Sequence, residues 1–321
     1  MNPTCPWLDA CGGCDLAHLT PEDRRASLSL KAAKALRVDP PEMVPSPLQS
    51  GHRARIDLGI VDGRVGYRRG RSHDLVEIGT CAIARPEVQD ALERLRGADL
   101  TGFSRVEIRS DGARAVYSLT GGRRDAPLDG LKDVAIDGKI NRGNPTLTLD
   151  VNGIQLRASA RSFFQVNLEI NALLAAHVTA AAAGHERVLD LYAGIGNLSL
   201  PVADAGTPVV AVELEGQAIR DLRAMAGTRP VEAIGADVGR FDTTRVAFDC
   251  LILDPPRAGA PGVLKRIALN RPRTVIYVSC NVQSAARDLR QLKGYRIDGV
   301  RCYEMFPDTH HFETVIVLKR S

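Results

Sequence analysis

The chain reads as an α/β protein: a Rossmann-like, doubly wound domain in its C-terminal half, preceded by an N-terminal cysteine knot and a β-rich (α+β) region. Three observations predict this. After Asn167, apolar strand-length runs alternate with helical stretches, as in a largely parallel sheet covered on both faces. The first of those runs ends in a Gly-rich turn, Asp190-Leu-Tyr-Ala-Gly-Ile-Gly-Asn197. Before residue 160 the texture differs: short alternating segments are separated by Gly turns, and Cys5, Cys11 and Cys14 crowd the N-terminus.

Composition agrees. Of 321 residues, 44% are apolar and 25% charged, enough to bury the core of one or two domains and too apolar for a disordered chain. The net charge of +4 permits a nucleic-acid partner without demanding one. No run approaches the ~18 apolar residues of a membrane span, and residues 1–16 lack the basic and apolar regions of a secretory leader. A soluble, cytoplasmic monomer with no membrane contact is expected. The seven cysteines (Cys5, Cys11, Cys14, Cys81, Cys250, Cys280 and Cys302) are odd in number and unevenly spread, which favours metal binding or catalysis over a disulfide framework.

The elements follow in order. Residues 1–38 hold the cysteine knot and a helix with Thr20 as N-cap and Pro21 at its first position, running towards Leu36. Asp39-Pro-Pro and Pro45-Ser-Pro47 break it. Residues 39–160 form a β-rich unit with turns at Asp62-Gly63, Asp111-Gly112 and Gly121-Gly122 and one helix over 86–96. Residues 161–321 form the doubly wound domain, with strands at 188–191, 209–213, 250–253, 274–278 and 312–318.

Within that domain the Gly-rich turn lets a ligand approach the backbone at the carboxyl end of a strand, and Gly194 and Asn197 sit in it. The next strand ends in Glu213, where a carboxylate can accept both hydroxyls of an adenosine ribose. Ser199 stands where a dinucleotide fingerprint places its third small residue, and no second nucleotide-binding half follows. The D-x-x-x-G-x-G form therefore suits S-adenosylmethionine better than NAD. Asp237, after a third strand, either meets the adenine amino group or is a solvated loop acid. Two prolines after Asp254 hold that carboxylate at the sheet edge. Cys280, at a strand end before a helix N-terminus, feels a dipole that favours its thiolate and is a candidate nucleophile, although a lone cysteine there also reads as core. Cys250 and Cys302 lack that context and read as packing.

The blocks Asp190–Asn197, Leu253-Asp-Pro-Pro-Arg257, Ser279-Cys-Asn281, Phe306-Pro-Asp-Thr-His-His-Phe-Glu313 and Ser162-Phe-Phe-Gln165-Val-Asn167 resemble, in order, the RNA 5-methyluridine methyltransferases. The resemblance spans residues 5 to 318. It implies a class I methyltransferase domain that transfers a methyl group from S-adenosylmethionine to uracil C5. That carbon is too weak a nucleophile to attack unaided. A thiolate added at C6 activates it, and a base then removes the C5 proton. The resemblance makes Cys280 the nucleophile and Glu313 the base, and gives the cofactor to Gln165, Tyr192, Gly194, Asn197, Glu213, Asp237 and Asp254. Two departures stand out: Tyr192 replaces a usual Phe, and Asp308 replaces a usual His.

Cys5-x5-Cys11-x2-Cys14 with Cys81 resembles the four-thiolate site of family members that carry a [4Fe–4S] cluster. Spacing alone suits a structural zinc equally. Members of the family often begin with a small β-barrel RNA-binding domain, whereas this chain starts at the knot, so RNA contact is expected from Arg53, Arg55, Arg64, Arg68, Arg69 and Arg71, with Tyr67 among them for stacking. A solvated charged face is the alternative for those arginines. The expected substrate is a uridine of large-subunit (23S) ribosomal RNA, with the T-loop uridine of tRNA second. An amino-group methyltransferase, which needs no cysteine, and a non-catalytic RNA-binding assembly factor are the competing classes.

Overall fold

The computed structural model describes residues 5–69, 72, 74–267 and 269–321. Arg71, one of the expected RNA-contacting arginines, lies outside them. Helix α1 (Pro21–Leu36) starts where the sequence places it: the Thr20 side chain accepts a hydrogen bond from the Asp23 amide at 3.1 Å. Strand β1 (Glu42–Val44) follows. A seven-stranded sheet is then built from β2 (Arg55–Val61), β3 (Arg64–Arg68), β4 (Leu75–Glu77), β5 (Phe103–Ser110), β6 (Ala115–Gly121), β7 (Val134–Ile136) and β8 (Lys139–Arg142), in the order β4-β3-β2-β5-β6-β7-β8. Its strands alternate buried and open positions, and α2 (Pro86–Leu95) lays Val88, Leu92 and Leu95 on the apolar face against Ile56, Leu58, Val106 and Ile108.

The rest of the chain is a hairpin, β9 (Leu147–Val151) and β10 (Ile154–Ala158), then α3 (Leu168–Ala182) and the doubly wound domain. That domain runs β11 (Val188–Leu191), α4 (Ser199–Asp204), β12 (Val209–Glu213), α5 (Gln217–Ala226), β13 (Val231–Gly235), β14 (Cys250–Leu253), α6 (Val263–Ile267), β15 (Thr274–Ser279), α7 (Val282–Leu289), β16 (Tyr295–Tyr303) and β17 (Glu313–Arg320). Its sheet has the order β1-β16-β17-β15-β14-β11-β12-β13, with β17 antiparallel to both neighbours. One face packs on α3, α4 and α5 through Ile170, Leu200 and Leu222. The other packs on α1, α6 and α7 through Leu28, Leu264 and Ala285. The central strands are buried on both faces, which explains their unbroken apolar runs.

Three features differ from the sequence reading. Glu42–Val44, inside the expected β-rich unit 39–160, instead extends the C-terminal sheet in parallel with β16, because Met43 and Val44 pack into that domain's two cores. The β9–β10 hairpin also leaves the β-rich sheet and packs beside α3 and α5. Strand β16 goes unseen because Arg296, Asp298, Gly299 and Arg301 interrupt its apolar pattern, and its ladder with β17 shifts register between Ile297 and Gly299. Cys250 and Cys302 are fully buried, as packing residues should be.

Candidate active site

Parallel strands β11, β12, β14 and β15 bring their carboxyl ends to one sheet edge, where α/β sheets hold ligands. Strand β17 runs the other way, so its first residue, Glu313, lies at that same edge. Ser279 pairs with Thr314, which sets Cys280 and Glu313 just beyond the pair on adjacent strands. Asp254 follows β14, the strand on the other side of β15. One cavity of about 540 Å³ is lined by Gln165, Tyr192, Gly194, Asn197, Glu213, Asp254, Cys280 and Glu313. It also takes in Arg161, Phe163, Phe164 and the Pro255-Pro256-Arg257 corner.

The Gly-rich turn is held from below and from the side. Tyr192 has a left-handed backbone (φ 66°), which costs a non-Gly residue energy that the surrounding turn must offset. Gly194 donates its amide to the Glu213 carboxylate at 2.9 Å, and the Leu214 amide bonds the other oxygen at 2.9 Å. Asn197 and Asn171 of α3 exchange reciprocal amide bonds at 2.8 and 2.9 Å. Beneath the turn, burial pushes Asp190 up to about 7, the charges of Asp254 and Glu213 add to that, and the Ser199 hydroxyl opposes it. Asp237 is the one expected cofactor residue outside the lining: it is exposed, caps its own turn through the Gly239 amide at 2.7 Å and faces Arg240. Its charge still reaches Tyr192.

The cavity is acidic where the chemistry would occur. Burial, then the Asp254 charge, raises Glu313 well above the carboxylate range, and its Oε2 has no hydrogen-bond partner. Burial pushes Asp254 up to about 6. Cys280 is pushed up to about 11 by burial, with Glu313 and Asp254 adding to the effect. Desolvation and two neighbouring carboxyls thus oppose the thiolate that the N-terminus of α7 was expected to favour, and the cap Asn281 already takes the Gln283 amide at 3.1 Å.

Cys5, Cys11, Cys14 and Cys81 line a second cavity of about 430 Å³, with Trp7, Ile78 and Ile83 supplying its apolar wall. Among the described residues, no three His, Cys, Asp or Glu side chains converge as a single metal ion would need. Arg53 enters this cavity rather than the open sheet face, and Tyr67 turns its hydroxyl towards Cys81, so neither is a free RNA contact. Arg55 lays its guanidinium 4.7 Å from the Phe163 ring, and Phe163, 57% exposed, is the open aromatic beside the catalytic cavity. Arg68 and Arg69 line a groove with Gly12, Gly13 and Arg105, and Arg64 is exposed at the β2–β3 turn.

Asp308 accepts from Arg24 at 2.7 Å in a buried network that includes Glu304, so an ion pair occupies the place of the usual imidazole. His310 bonds Asp15, and His311 packs edge-on against Phe306. Motif spacing gives no sign of Arg161, Arg109 or Asp221, which the tertiary structure brings to the walls or supports of the cavity.

Fold and cavity together define a mixed α/β methyltransferase of the S-adenosylmethionine-dependent class I type. A family model described as tRNA (Uracil-5-)-methyltransferase matches residues 222–321. Over 356 residues the chain is 29% identical to the 23S rRNA (uracil(1939)-C(5))-methyltransferase RlmD of Salmonella choleraesuis (strain SC-B67), covering 99% of this chain and 82% of that one. It is also 29% identical to RlmD of Pectobacterium carotovorum subsp. carotovorum (strain PC1), covering 98% and 79%. The crystal structure of Pyrococcus abyssi tRNA (uracil-54, C5)-methyltransferase with S-adenosyl-L-homocysteine is similar with a TM-score of 0.85 and 27% identity, covering 96% of this chain and 86% of that one. Fold and relatives indicate an enzyme, an S-adenosylmethionine-dependent RNA uracil-5-methyltransferase. Among the described residues no helix is long and apolar enough to cross a membrane.

Proposed function

We propose that this chain methylates C5 of a uridine in large-subunit ribosomal RNA through a transient bond between Cys280 and uracil C6. The observation that carries the reading is the meeting of Cys280, Glu313 and Asp254 in the cavity that also holds the Gly194 turn and Glu213. Gln165, Tyr192, Gly194, Asn197, Glu213 and Asp254 would hold S-adenosylmethionine, and Asp237, outside the cavity lining, would reach it only through the charge it directs at Tyr192. The bound cofactor supplies an electrophilic methyl on a cationic sulfonium, whose charge suits a pocket of crowded acidic groups. Cys280 would pass its proton to the neighbouring Asp254 carboxylate as its sulfur adds to C6, so electron density would move to C5, which would take the methyl and leave a neutral thioether on the cofactor. Glu313 accepts the C5 proton, the C5–C6 double bond re-forms and the sulfur leaves. Burial and the Asp254 charge favour the neutral form of Glu313 in the empty pocket, and a cationic sulfonium bound beside it would draw it back towards the carboxylate, whose unpartnered oxygen would then take that proton.

Ribosomal RNA is favoured by the near-full-length similarity to RlmD, and the T-loop uridine of tRNA is the second reading, favoured by the similarity to the Pyrococcus abyssi enzyme. The base must leave its stack to be attacked at C6, and Phe163 with Arg55 offers an aromatic and cationic surface at the mouth. Cys5, Cys11, Cys14 and Cys81 line one cavity of about 430 Å³, and four thiolates are the donor set of a [4Fe–4S] cluster. Held by Cys5, Cys11, Cys14 and Cys81, the cluster would supply a cross-link between the N-terminal loop and the β-rich sheet.

The test uses full-length protein and unmethylated ribosomal and transfer RNA transcripts. Cys280→Ser abolishes 5-methyluridine, and Glu313→Gln accumulates a protein–RNA adduct that survives denaturing gels. Retained activity in Cys280→Ser would point to amino-group methylation, and a wild type that binds RNA without methylating it would point to an assembly factor.

A further inference from the structure

The segment from Ser159 to Gln165 walls the catalytic cavity through Phe163, Phe164 and Gln165, and the same Phe163 walls a neighbouring cavity of about 510 Å³ that opens on Arg55 and Arg105. A segment shared by two cavities must be fixed from both sides, and two buried charges do this. Asp221 of α5, 1% exposed, accepts from the Ser159 amide at 2.9 Å, the Ser159 hydroxyl at 2.7 Å and the Ser162 hydroxyl at 2.5 Å. Arg157 and Gln217 add bonds at 3.2 and 3.1 Å. From the opposite side, Arg109 of β5, 0% exposed, donates to the Ser159 carbonyl at 2.8 Å and the Ser162 carbonyl at 2.5 Å. Its guanidinium also lies 4.9 Å from the Phe164 ring.

The two charges belong to different parts of the fold. Arg109 sits on the seven-stranded sheet, directly across from Arg55, whose guanidinium covers Phe163. Asp221 sits on the helix that begins just after Glu213 and carries Ala218 into the catalytic cavity. A buried acid with five donors is worth more as a fixed anchor than as a sum of pairs, because every bond holds the others in place. The turn is thus bonded at once to the strand on one side and to the helix on the other.

We propose that Arg109 and Asp221 are positioning residues: together they clamp the Ser159–Ser162 turn and so couple occupancy of the RNA-facing sheet to cofactor affinity in the catalytic cavity. Resting on the function proposed above, the clamp explains how RNA lying on Arg55 and Phe163 tightens the wall formed by Phe164 and Gln165. The coupling is reciprocal, so each ligand raises the affinity for the other by the same factor.

The test measures S-adenosylhomocysteine binding by calorimetry, with and without an unmethylated large-subunit ribosomal RNA transcript, on full-length protein purified without oxygen. Wild type binds S-adenosylhomocysteine more tightly when RNA is present. Asp221→Asn weakens that binding about tenfold, the scale of a lost buried charged bond, and brings the RNA effect close to one. Arg109→Lys keeps the charge but loses the fork across two carbonyls, and it shifts the RNA effect in the same direction. Should Asp221→Asn fail to melt cooperatively, Ser162→Ala removes a single bond and shows the same change at about threefold. Unchanged affinity and unchanged RNA effect in the folded variants overturn the clamp, as does a wild type in which RNA leaves S-adenosylhomocysteine affinity unaltered. The function proposed above fails separately, if wild type methylates no uridine, and the binding arm still judges the clamp in that case.

Discussion

Glu313 carries the most telling atom in the molecule, a buried carboxyl oxygen with no partner facing a thiol and a second carboxyl. Buried polar atoms are almost always bonded, and an exception at a cavity wall marks a place where a ligand completes the set. Its charge is also one of the reasons Cys280 is pushed up to about 11. An expected consequence follows for the cofactor-free protein: alkylation of Cys280 by iodoacetamide, read by peptide mass spectrometry, keeps rising with pH beyond 9 instead of levelling off. In Glu313→Gln the same curve moves to lower pH, since one source of repulsion has gone. A Cys280 that reacts fully at neutral pH would show that the pocket does not suppress its thiolate. Asp190 gives a stability test of the same kind. Its folded value of about 7 lies above its unfolded one, so its contribution is fully present below about pH 4 and is lost as pH rises through 7. Asp190→Asn should flatten the fall in melting temperature between pH 5 and pH 8.

At the scale of elements, the Gly-rich turn separates two uses of glycine that the sequence cannot tell apart. Gly194 (φ 57°) has open space where a side chain would stand, whereas a Cβ on Gly196 (φ 90°) would meet Leu222 Cδ1 at 2.5 Å and Leu200 Cγ at 2.9 Å. Gly196 therefore sets how closely the turn and α4 approach α5, the helix that carries Asp221. Gly196→Ala should cost about 2–4 kcal/mol from overpacking and left-handed backbone combined, against about 1–2 kcal/mol for Gly194→Ala, by urea unfolding. Equal costs would refute the packing role of Gly196. The strands most legible in sequence were the buried central ones, whose bounds the apolar runs gave almost to the residue. Strand β16 was hidden because a partly exposed strand with charged residues and an irregular register carries little apolar signal.

Across the whole molecule, the N-terminal helix is fastened to the C-terminal domain by charges rather than by apolar contact alone. Arg24, 1% exposed, bonds Glu304 at 2.9 Å and Asp308 at 2.7 Å, and Glu304 also takes the Ser46 amide and Gln49. Asp308 lies on the cysteine cavity as well, and its carbonyl accepts from Leu16. This one residue thus ties together α1, the cysteine loop and the loop leading to Glu313. Restoring the imidazole with Asp308→His leaves Arg24 short of a buried partner and should cost about 3–5 kcal/mol in chemical denaturation. A loss below about 1 kcal/mol would mean that Glu304 alone satisfies Arg24.

The sequence by itself determined the α/β class, the central strands, the turn that receives a cofactor and the chemical types gathered in the cavity, because these depend on local periodicity and on short motifs at strand ends. Only the tertiary structure decided which arginines face open grooves, how far the thiol at 280 is held from its anionic form, and that β1 belongs to the C-terminal sheet. It alone revealed the anchoring of one turn between Arg109 and Asp221. The physical reason is common to all of these: burial and the charges of distant neighbours set them, and neither is written in the spacing of residues along the chain.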